Sequence, residues 1–424
     1  MPFAAAEPQT EASAPPQAAR PVSPPTAPES LRVAGNDLTV FVETPDLFGA
    51  MLKDIQAATN RVWMETYIFH HDTGASSIAD ALMEKAKQGL DVRLHYDAIG
   101  SAATPTAFFA RMQAAGVKLH AFHSVLEGVR RFDLLAILNR RNHRKLLVID
   151  DTVGYFGGMN IIDNAPANTP PGTPNPDAAK LPASAGWRDV HIRLQGPAQA
   201  ELAESFNRSW CRAKGEKVPR KPRRLVKAQL RSACRLNGGH SQESIHFFDS
   251  GGVQNRASRA ARIYTRLIRG ARRQITLSMA YFIPVGAPLR ALLAARKRQV
   301  RVQVVVPGIS DVKIVQRATT YLYSQLIKRG FRIYERRGRM LHSKMMVIDG
   351  LYSVVGSANF DPRSLRINME FVSVIRSEEL AGILQRVARF EMTQSDRITL
   401  RHVRHISWFD RVLNRFAWMF RWWL

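Results

Sequence analysis

Cysteine is almost absent: Cys211 and Cys234 are the only two in 424 residues, which leaves no material for a disulfide framework or a cysteine-built metal site. Long apolar runs are missing too. No uninterrupted stretch approaches the roughly 18 to 20 residues that a membrane-spanning helix needs, and the chain does not open on a basic region followed by an apolar core. Acidic residues are scarce, 35 against 61 Lys and Arg, for a formal charge of +26, which suits a surface that meets polyanions, either nucleic acid or acidic phospholipid. No acidic cluster with two-metal spacing is visible, so neither a metal nor a cofactor is expected. Residues 1–30 are rich in Pro, Ala, Ser and Glu and read as disordered, without chemistry.

One sentence is written twice. His143-Arg144-Lys145 leads through an apolar run to Asp150 and then to Gly157-Gly158-Met159-Asn160; His342-Ser343-Lys344 leads through another to Asp349 and then, at the same spacing, to Gly356-Ser357-Ala358-Asn359. Each apolar run is short and bounded by turn residues, so it reads as a buried strand, on which a His and a Lys two apart share a face. An imidazole titrating at roughly 6.5 can be nucleophile or proton carrier near neutrality, and an ammonium can hold a phosphate oxygen. The Gly-x-x-Asn segments add close backbone approach, amide donors and, at Ser357, a hydroxyl. This set suits a phosphodiester. A single copy would be weak evidence, since His-x-Lys-x4-Asp arises by chance in roughly a few per cent of chains this long. Asp150 and Asp349 count with the catalytic members of the motif, although by position they read as turn residues with a possible salt bridge to the lysine.

The repetition extends to whole segments. Strand-like Arg61–Phe69, Asp91–Asp97 and Gly116–His120 answer Arg273–Pro284, Gln299–Val305 and Gly330–Tyr334 in the same order, with helix-like stretches between, among them Leu47–Ala58, Ser77–Gln88, Ala260–Ala271 and Pro288–Lys297. After each motif comes a further matched strand, Trp187–Leu194 against Asn368–Ile375. The fold class is therefore α/β, in two halves, each a mixed sheet flanked by helices. The last match sets Asp189 opposite Glu370. A catalytic imidazole needs an acceptor on its second nitrogen, so Asp189 is assigned to orient His143 and Glu370 to orient His342; surface acids on edge strands are the alternative.

The paired motifs resemble the HKD signatures of the phospholipase D superfamily, from about Leu38 to about Phe390. Within it, Asn142–Asp150, Gly157–Ile161, Trp187–Asp189, Tyr281–Pro284, Gly356–Leu365, Asn368–Glu370, Glu65–Tyr67 and Asp97–Ser101 are similar to bacterial cardiolipin synthases. The resemblance implies two tandem halves related by a pseudo-two-fold axis and a two-step displacement. His143 would attack phosphorus to give a phosphohistidine-linked phosphatidyl enzyme, and His342 would protonate the departing alcohol and deprotonate the incoming one. Lys145, Lys344, Asn160, Ser357 and Asn359 would hold the phosphoryl oxygens. The implied reaction is cardiolipin synthesis from phospholipid, with phosphatidylglycerol as donor and glycerol as leaving group. Gly158, where the second copy has Ser357, removes one hydroxyl.

Charge and the C-terminus bear on the partner. Ten Lys or Arg and one Glu fall between Cys211 and Arg235, a basic linker or a reversible anchor to anionic lipid. Read as a helix, Ser407–Leu424 puts Trp408, Phe409, Val412, Leu413, Phe416, Met419, Phe420 and Trp423 along one face and holds four of the seven tryptophans. It reads as an in-plane membrane helix, or else as a terminal helix packed on the domain or on a second subunit. His123–Arg141 reads as a lipid-contacting or gating loop, or as a connecting helix, and Ala165–Ala185 as a mobile surface excursion. The expected organisation is 1–30 disordered, 31–210 first half, 211–240 basic linker, 241–395 second half and 396–424 membrane-interface helix. The expected location is the cytoplasmic side of the membrane, peripherally, with phospholipid as partner and nucleic acid disfavoured; oligomeric state is open. A phospholipase D using water, a nucleic-acid phosphodiesterase and a non-catalytic lipid scaffold are the rivals.

Overall fold

A computed structural model describes residues 27–123, 140–162, 187–218, 223–234, 242–251 and 258–423. The expectations for residues 1–26, for the greater part of His123–Arg141 and for Ala165–Ala185 lie outside the described residues.

The first half contributes β1 (Glu29–Val33), β2 (Asn36–Phe41), β3 (Arg61–Thr66), β4 (Asp91–Asp97), β5 (Lys118–Phe122), β6 (Leu146–Ile149), β7 (Val153–Gly157), β8 (Trp187–Arg188) and β9 (His191–Gln195). The second contributes β10 (Ser244–Ser250), β11 (Gln274–Met279), β12 (Arg301–Pro307), β13 (Arg332–Arg336), β14 (Met340–Leu341), β15 (Lys344–Ile348), β16 (Tyr352–Gly356), β17 (Glu370–Arg376) and β18 (Ser395–Ile398). Two eight-stranded sheets result, ordered β1-β2-β9-β7-β6-β3-β4-β5 and β10-β17-β16-β15-β11-β12-β13-β18. The two orders match around the motif strands β6 and β15. In each, three strands run parallel and the motif strand is antiparallel to its neighbours.

Strand periodicity decides which way the core faces. Leu146 and Val148 share a buried cluster with Met345 and Val347, so these faces of the two sheets belong to one continuous core. Leu147 and Ile149 point instead into the first half's outer helices, as Met346 and Ile348 do in the second. Helices Gln199–Ala213 and Glu378–Thr393 add Leu202, Phe206, Trp210, Leu380, Leu384 and Val387 to the shared core. The helices expected at 47–58, 77–88, 260–271 and 288–297 occupy Thr44–Ala57, Thr73–Lys87, Arg259–Gly270 and Gly286–Lys297.

Three segments differ from expectation. The strand expected over Trp187–Leu194 is broken at Asp189-Val190, between β8 and β9. The basic segment includes helix Arg223–Ala233, whose Leu230 and Ala233, with Cys234, enter the second half's core, so apolar spacing there overrides the charge. The C-terminal segment begins as β18, an edge strand on β13, before helices Leu400–Arg404 and Trp408–Met419. No described helix is long and apolar enough to cross a membrane.

Candidate active site

The halves are stitched where the motifs begin. In the first half β8 runs parallel to β14 of the second, Met340 opposite Trp187, and the His342 amide donates to Arg188 O at 2.7 Å. Near the second half's Glu370, the His143 amide donates to Met369 O at 2.9 Å, and the Met369 amide to Arg141 O at 2.9 Å. Each histidine is thereby drawn toward the other half's matched strand.

The rings follow the backbone. His143 Nδ1 lies 3.1 Å from Glu370 Oε2, and His342 Nδ1 lies 2.6 Å from Asp189 Oδ2. The expected pairing within each half is therefore wrong: the carboxylates are exchanged. The break at Asp189 and the inter-half backbone bonds cause this, because the matched strand enters its own sheet only after passing the other half's histidine. With Nδ1 engaged, Nε2 is the ring nitrogen left for a substrate. Both rings line one cavity of about 230 Å³, with Tyr67, Trp187, Tyr281, Asn160 and Asn359 among its walls. Trp187 packs on His342, centroids 4.5 Å apart, and Tyr67 meets His143 edge-on at 5.0 Å.

Burial sets the electrostatics. It lowers the His143 pKa, helped by Lys145 and opposed by Glu370, and brings that of His342 down to about 4, helped by Lys344 and opposed by Asp189. Both imidazoles are neutral at pH 7 in the free protein. Burial raises the Asp189 carboxyl, yet Lys344, His342 and the Val190 amide together hold it below its ordinary value. Lys145 Nζ donates to His143 O at 2.7 Å, while Lys344 Nζ donates to His342 O, sits 2.7 Å from His342 Nδ1 and reaches Asp189 Oδ2 at 3.4 Å. Both lysines are buried behind their histidines, and neither is among the residues lining the cavity. Burial, then the other lysine, drives Lys145 well below the usual ammonium range.

The remaining motif residues divide. Asn160 and Asn359 line the cavity, and Asn160 Nδ2 and Asn359 Oδ1 are buried without a partner. Ser357 is absent from the cavity wall. Its hydroxyl donates to Glu370 Oε2 and accepts from the Phe371 amide at 3.0 Å, so it braces the carboxylate instead of meeting phosphate. At the matched position a Cβ on Gly158 would collide with the Asp189 carboxylate, which explains the lost hydroxyl. Asp150 and Asp349 are turn residues with φ of 48° and 56°. Asp150 accepts from the amides of Thr59, Asn60 and Arg61, and Asp349 from those of Arg272, Arg273 and Gln274. Each stands at the far end of its strand, about 16 Å from the lysine at 3.3 Å per residue, so their place among the catalytic residues is corrected and no salt bridge to the lysine forms.

Arg141, Asp311, Asp361 and Arg363 also line the cavity and were missed. Arg141 stands two residues before His143, next to the motif; Asp311 lies in a loop with no such signal. Burial raises the Asp361 pKa to about 7, opposed by its cap on the Ser364 amide. Among the described residues no three His, Cys, Asp or Glu gather as metal ligands do.

The family described as "Cardiolipin synthase, PLD-like domain" matches residues 51–168 and 264–391, one stretch around each motif. The chain belongs to this phospholipase D-like family. Cardiolipin synthase A of Pseudomonas putida is 29% identical over 367 residues, covering 87% of this chain and 71% of that protein. The cardiolipin synthase of Halalkalibacterium halodurans is 28% identical over 397 residues, covering 90% and 72%. Among solved structures, the phosphatidylserine synthase of Haemophilus influenzae superposes with a TM-score of 0.64 at 12% identity, over 93% of this chain and 94% of that one. The polyphosphate kinase of Porphyromonas gingivalis gives 0.55 at 14% over 86% and 48%. These two show the phospholipase D-like fold.

Proposed function

We propose that this phospholipase D-like chain is a cardiolipin synthase, a phosphatidyltransferase that moves a phosphatidyl group from one phospholipid, phosphatidylglycerol, to the hydroxyl of another. The observation that carries the reading is the exchanged pair of carboxylate–imidazole contacts facing one cavity. His143 Nε2 attacks phosphorus, the bond from phosphorus to the glycerol oxygen breaks, and His342 supplies the proton that makes glycerol neutral. The second phospholipid's hydroxyl then gives its proton to His342 as its oxygen attacks, and the phosphorus–nitrogen bond breaks. The tighter contact of His342 with Asp189 suits the group that is positively charged before the first step and again after the second. Lys344 opposes that charge in the free protein, and an anionic phosphodiester between the rings compensates it, so the proton arrives with the substrate. Asn160, whose Nδ2 is buried without a partner, is a phosphoryl donor, and Asn359 faces the same cavity; Lys145 and Lys344 act from behind the rings.

Lipid is favoured over nucleic acid by the exposed apolar surface. Helix Trp408–Met419 turns Asn414 and Ala417 inward against helix Lys313–Lys328 and leaves Trp408, Phe409, Val412, Phe416 and Met419 exposed. This is the reverse of a core-packed amphipathic helix. Exposed Val312 and Trp423 carry the apolar surface to the cavity wall itself. We place this face in the headgroup region of an anionic membrane, and the charge of +26 suits the cytoplasmic leaflet.

Labelled phosphatidylglycerol in anionic vesicles should give labelled cardiolipin and free glycerol, and His143→Ala should lower turnover by about a thousandfold or more. Phosphatidic acid without cardiolipin would establish a hydrolase. Cleavage of DNA by a chain that ignores vesicles would establish a nuclease.

A further inference from the structure

One corner of the cavity sets the second half's wall apart from the first's. By strand register Tyr281 stands where the first half has Ile68, and both line the cavity. Beside Tyr281 is Asp311, exposed, on the loop between β12 and helix Lys313–Lys328. The Tyr281 hydroxyl donates to this carboxylate, 2.8 Å from Oδ1 and 2.9 Å from Oδ2, and Ser310 Oγ lies 3.4 Å from Oδ1. Burial and this neighbour push the Tyr281 phenol upward, so its proton stays on as the donor to the carboxylate. No ion pair to Asp311 is present among the described residues, although Arg141 and Arg363 line the same cavity. The carboxylate does reach the chemistry: its charge acts on both His342 and Lys344.

A carboxylate repels phosphate, so the cavity has two ends. The histidines, asparagines and arginines take the phosphodiester; the Asp311–Tyr281 corner has about four acceptor positions and only two donors already on them. Neutral hydroxyl groups satisfy such a corner. An ammonium group would meet the Arg363 guanidinium that shares the cavity; the other arginine of the wall, Arg141, is already paired with Asp97. Exposed Ile309 and Val312 on the same loop and Ile314 in the first turn of the helix flank the corner, so an alcohol carried by a lipid can reach it from the apolar surface.

We propose that Asp311, anchored by Tyr281, is the subsite for the non-reacting hydroxyls of a polyol headgroup, holding the glycerol that leaves and then the glycerol headgroup that attacks. It rests on the transferase reading above. Asp311 would thus be a specificity-determining residue: it raises the local claim of a polyol over water on the phosphatidyl enzyme, and so sets transfer against hydrolysis.

The test is partitioning. A phosphatidyl donor with a p-nitrophenol leaving group charges the full-length enzyme without using the polyol corner, and the products formed in glycerol or methanol are compared with phosphatidic acid formed by water. Losing a charge-assisted hydrogen bond predicts that Asp311→Asn lowers the glycerol-to-water ratio about tenfold or more, and raises the glycerol concentration for half-saturation correspondingly. The methanol-to-water ratio, which has no second hydroxyl to read, should move far less, and Tyr281→Phe should shift the glycerol ratio in the same direction by a smaller factor. Equal falls with glycerol and methanol, or no fall with either, would overturn the assignment. A larger loss with ethanolamine than with glycerol would overturn it in favour of an ammonium site. Wild-type enzyme that yields only phosphatidic acid at every glycerol concentration would remove the transferase reading instead.

Discussion

At the scale of single residues, the two copies of the motif differ for a steric reason. Asp189 is one methylene shorter than Glu370 and lies directly over Gly158, whereas Glu370 leaves room for the Ser357 hydroxyl that braces it. Gly158→Ser, which gives the first copy the second's residue at this position, should therefore push Asp189 away from His342. The expected loss is about a hundredfold or more in turnover, with about 1 to 3 kcal/mol of destabilisation from overpacking. Wild-type turnover in that variant would mean that Asp189 does not position the ring. The histidines, lysines and asparagines were legible in sequence because each occurs twice at one spacing. The owner of each carboxylate was not, since alignment says which residues are equivalent and is silent on which half's ring they meet.

Among the elements, the C-terminal helix was legible as amphipathic, but a helical wheel does not tell an inward apolar face from an outward one. Packing decides it. Trp418 stacks on Tyr321 at 5.5 Å between centroids, Ala417 joins Val315 and Ala318 in a small apolar cluster, and Asp410 and Asn414 meet Arg317, so the contact with the domain is made without the exposed aromatic stripe. Trp408→Ser with Phe416→Ser should then reduce binding to anionic vesicles about tenfold to a hundredfold, because interfacial affinity scales with buried apolar area. Thermal stability should change little, both side chains being more than half exposed. A marked fall in melting temperature with vesicle binding unchanged would instead assign this face to protein contacts. The basic segment hid a helix in the same physical way: ten basic residues in the composition masked the spacing of Leu230 and Ala233, which anchors it.

Taken whole, the molecule has two sheets and one shared core. Buried ion pairs cross the interface, Arg339 with Glu43 at 2.9 Å and Arg188 with Glu391 at 2.9 Å; within the halves Arg188 also bonds Glu43 and Arg336 bonds Glu391 at 2.5 Å. Removing one partner of such a set costs about 3 to 5 kcal/mol. Calorimetry should accordingly show a single cooperative transition, with calorimetric and van't Hoff enthalpies in agreement; two resolved transitions would refute the shared core. The same burial makes stability sensitive to acid. His342 and His120 titrate at about 4 and His191 at about 3 in the fold, against 6.5 when exposed, so the unfolded chain binds more protons between those limits and stability falls as pH drops through them. Glu65, brought to about 2 by Arg144, His95 and Ser209 against the cost of its burial, extends the loss below pH 4.5. Denaturant midpoints that stay level from pH 6.5 to 4 would contradict those environments. The two-half α/β plan was readable from the ordered repeat of strands, whereas the interface was not, because alternation along Leu146–Ile149 marks two buried faces without naming what covers each.

The exchanged carboxylates have a consequence for synthesis of the chain. When the ribosome has released only the amino-terminal lobe, His143 lacks Glu370, Asp189 has no imidazole to hold, and half of the wall around the phosphorus is still untranslated. Phosphatidyl-transfer activity therefore appears in one step, when the second lobe docks, and an interrupted or truncated product lacks it.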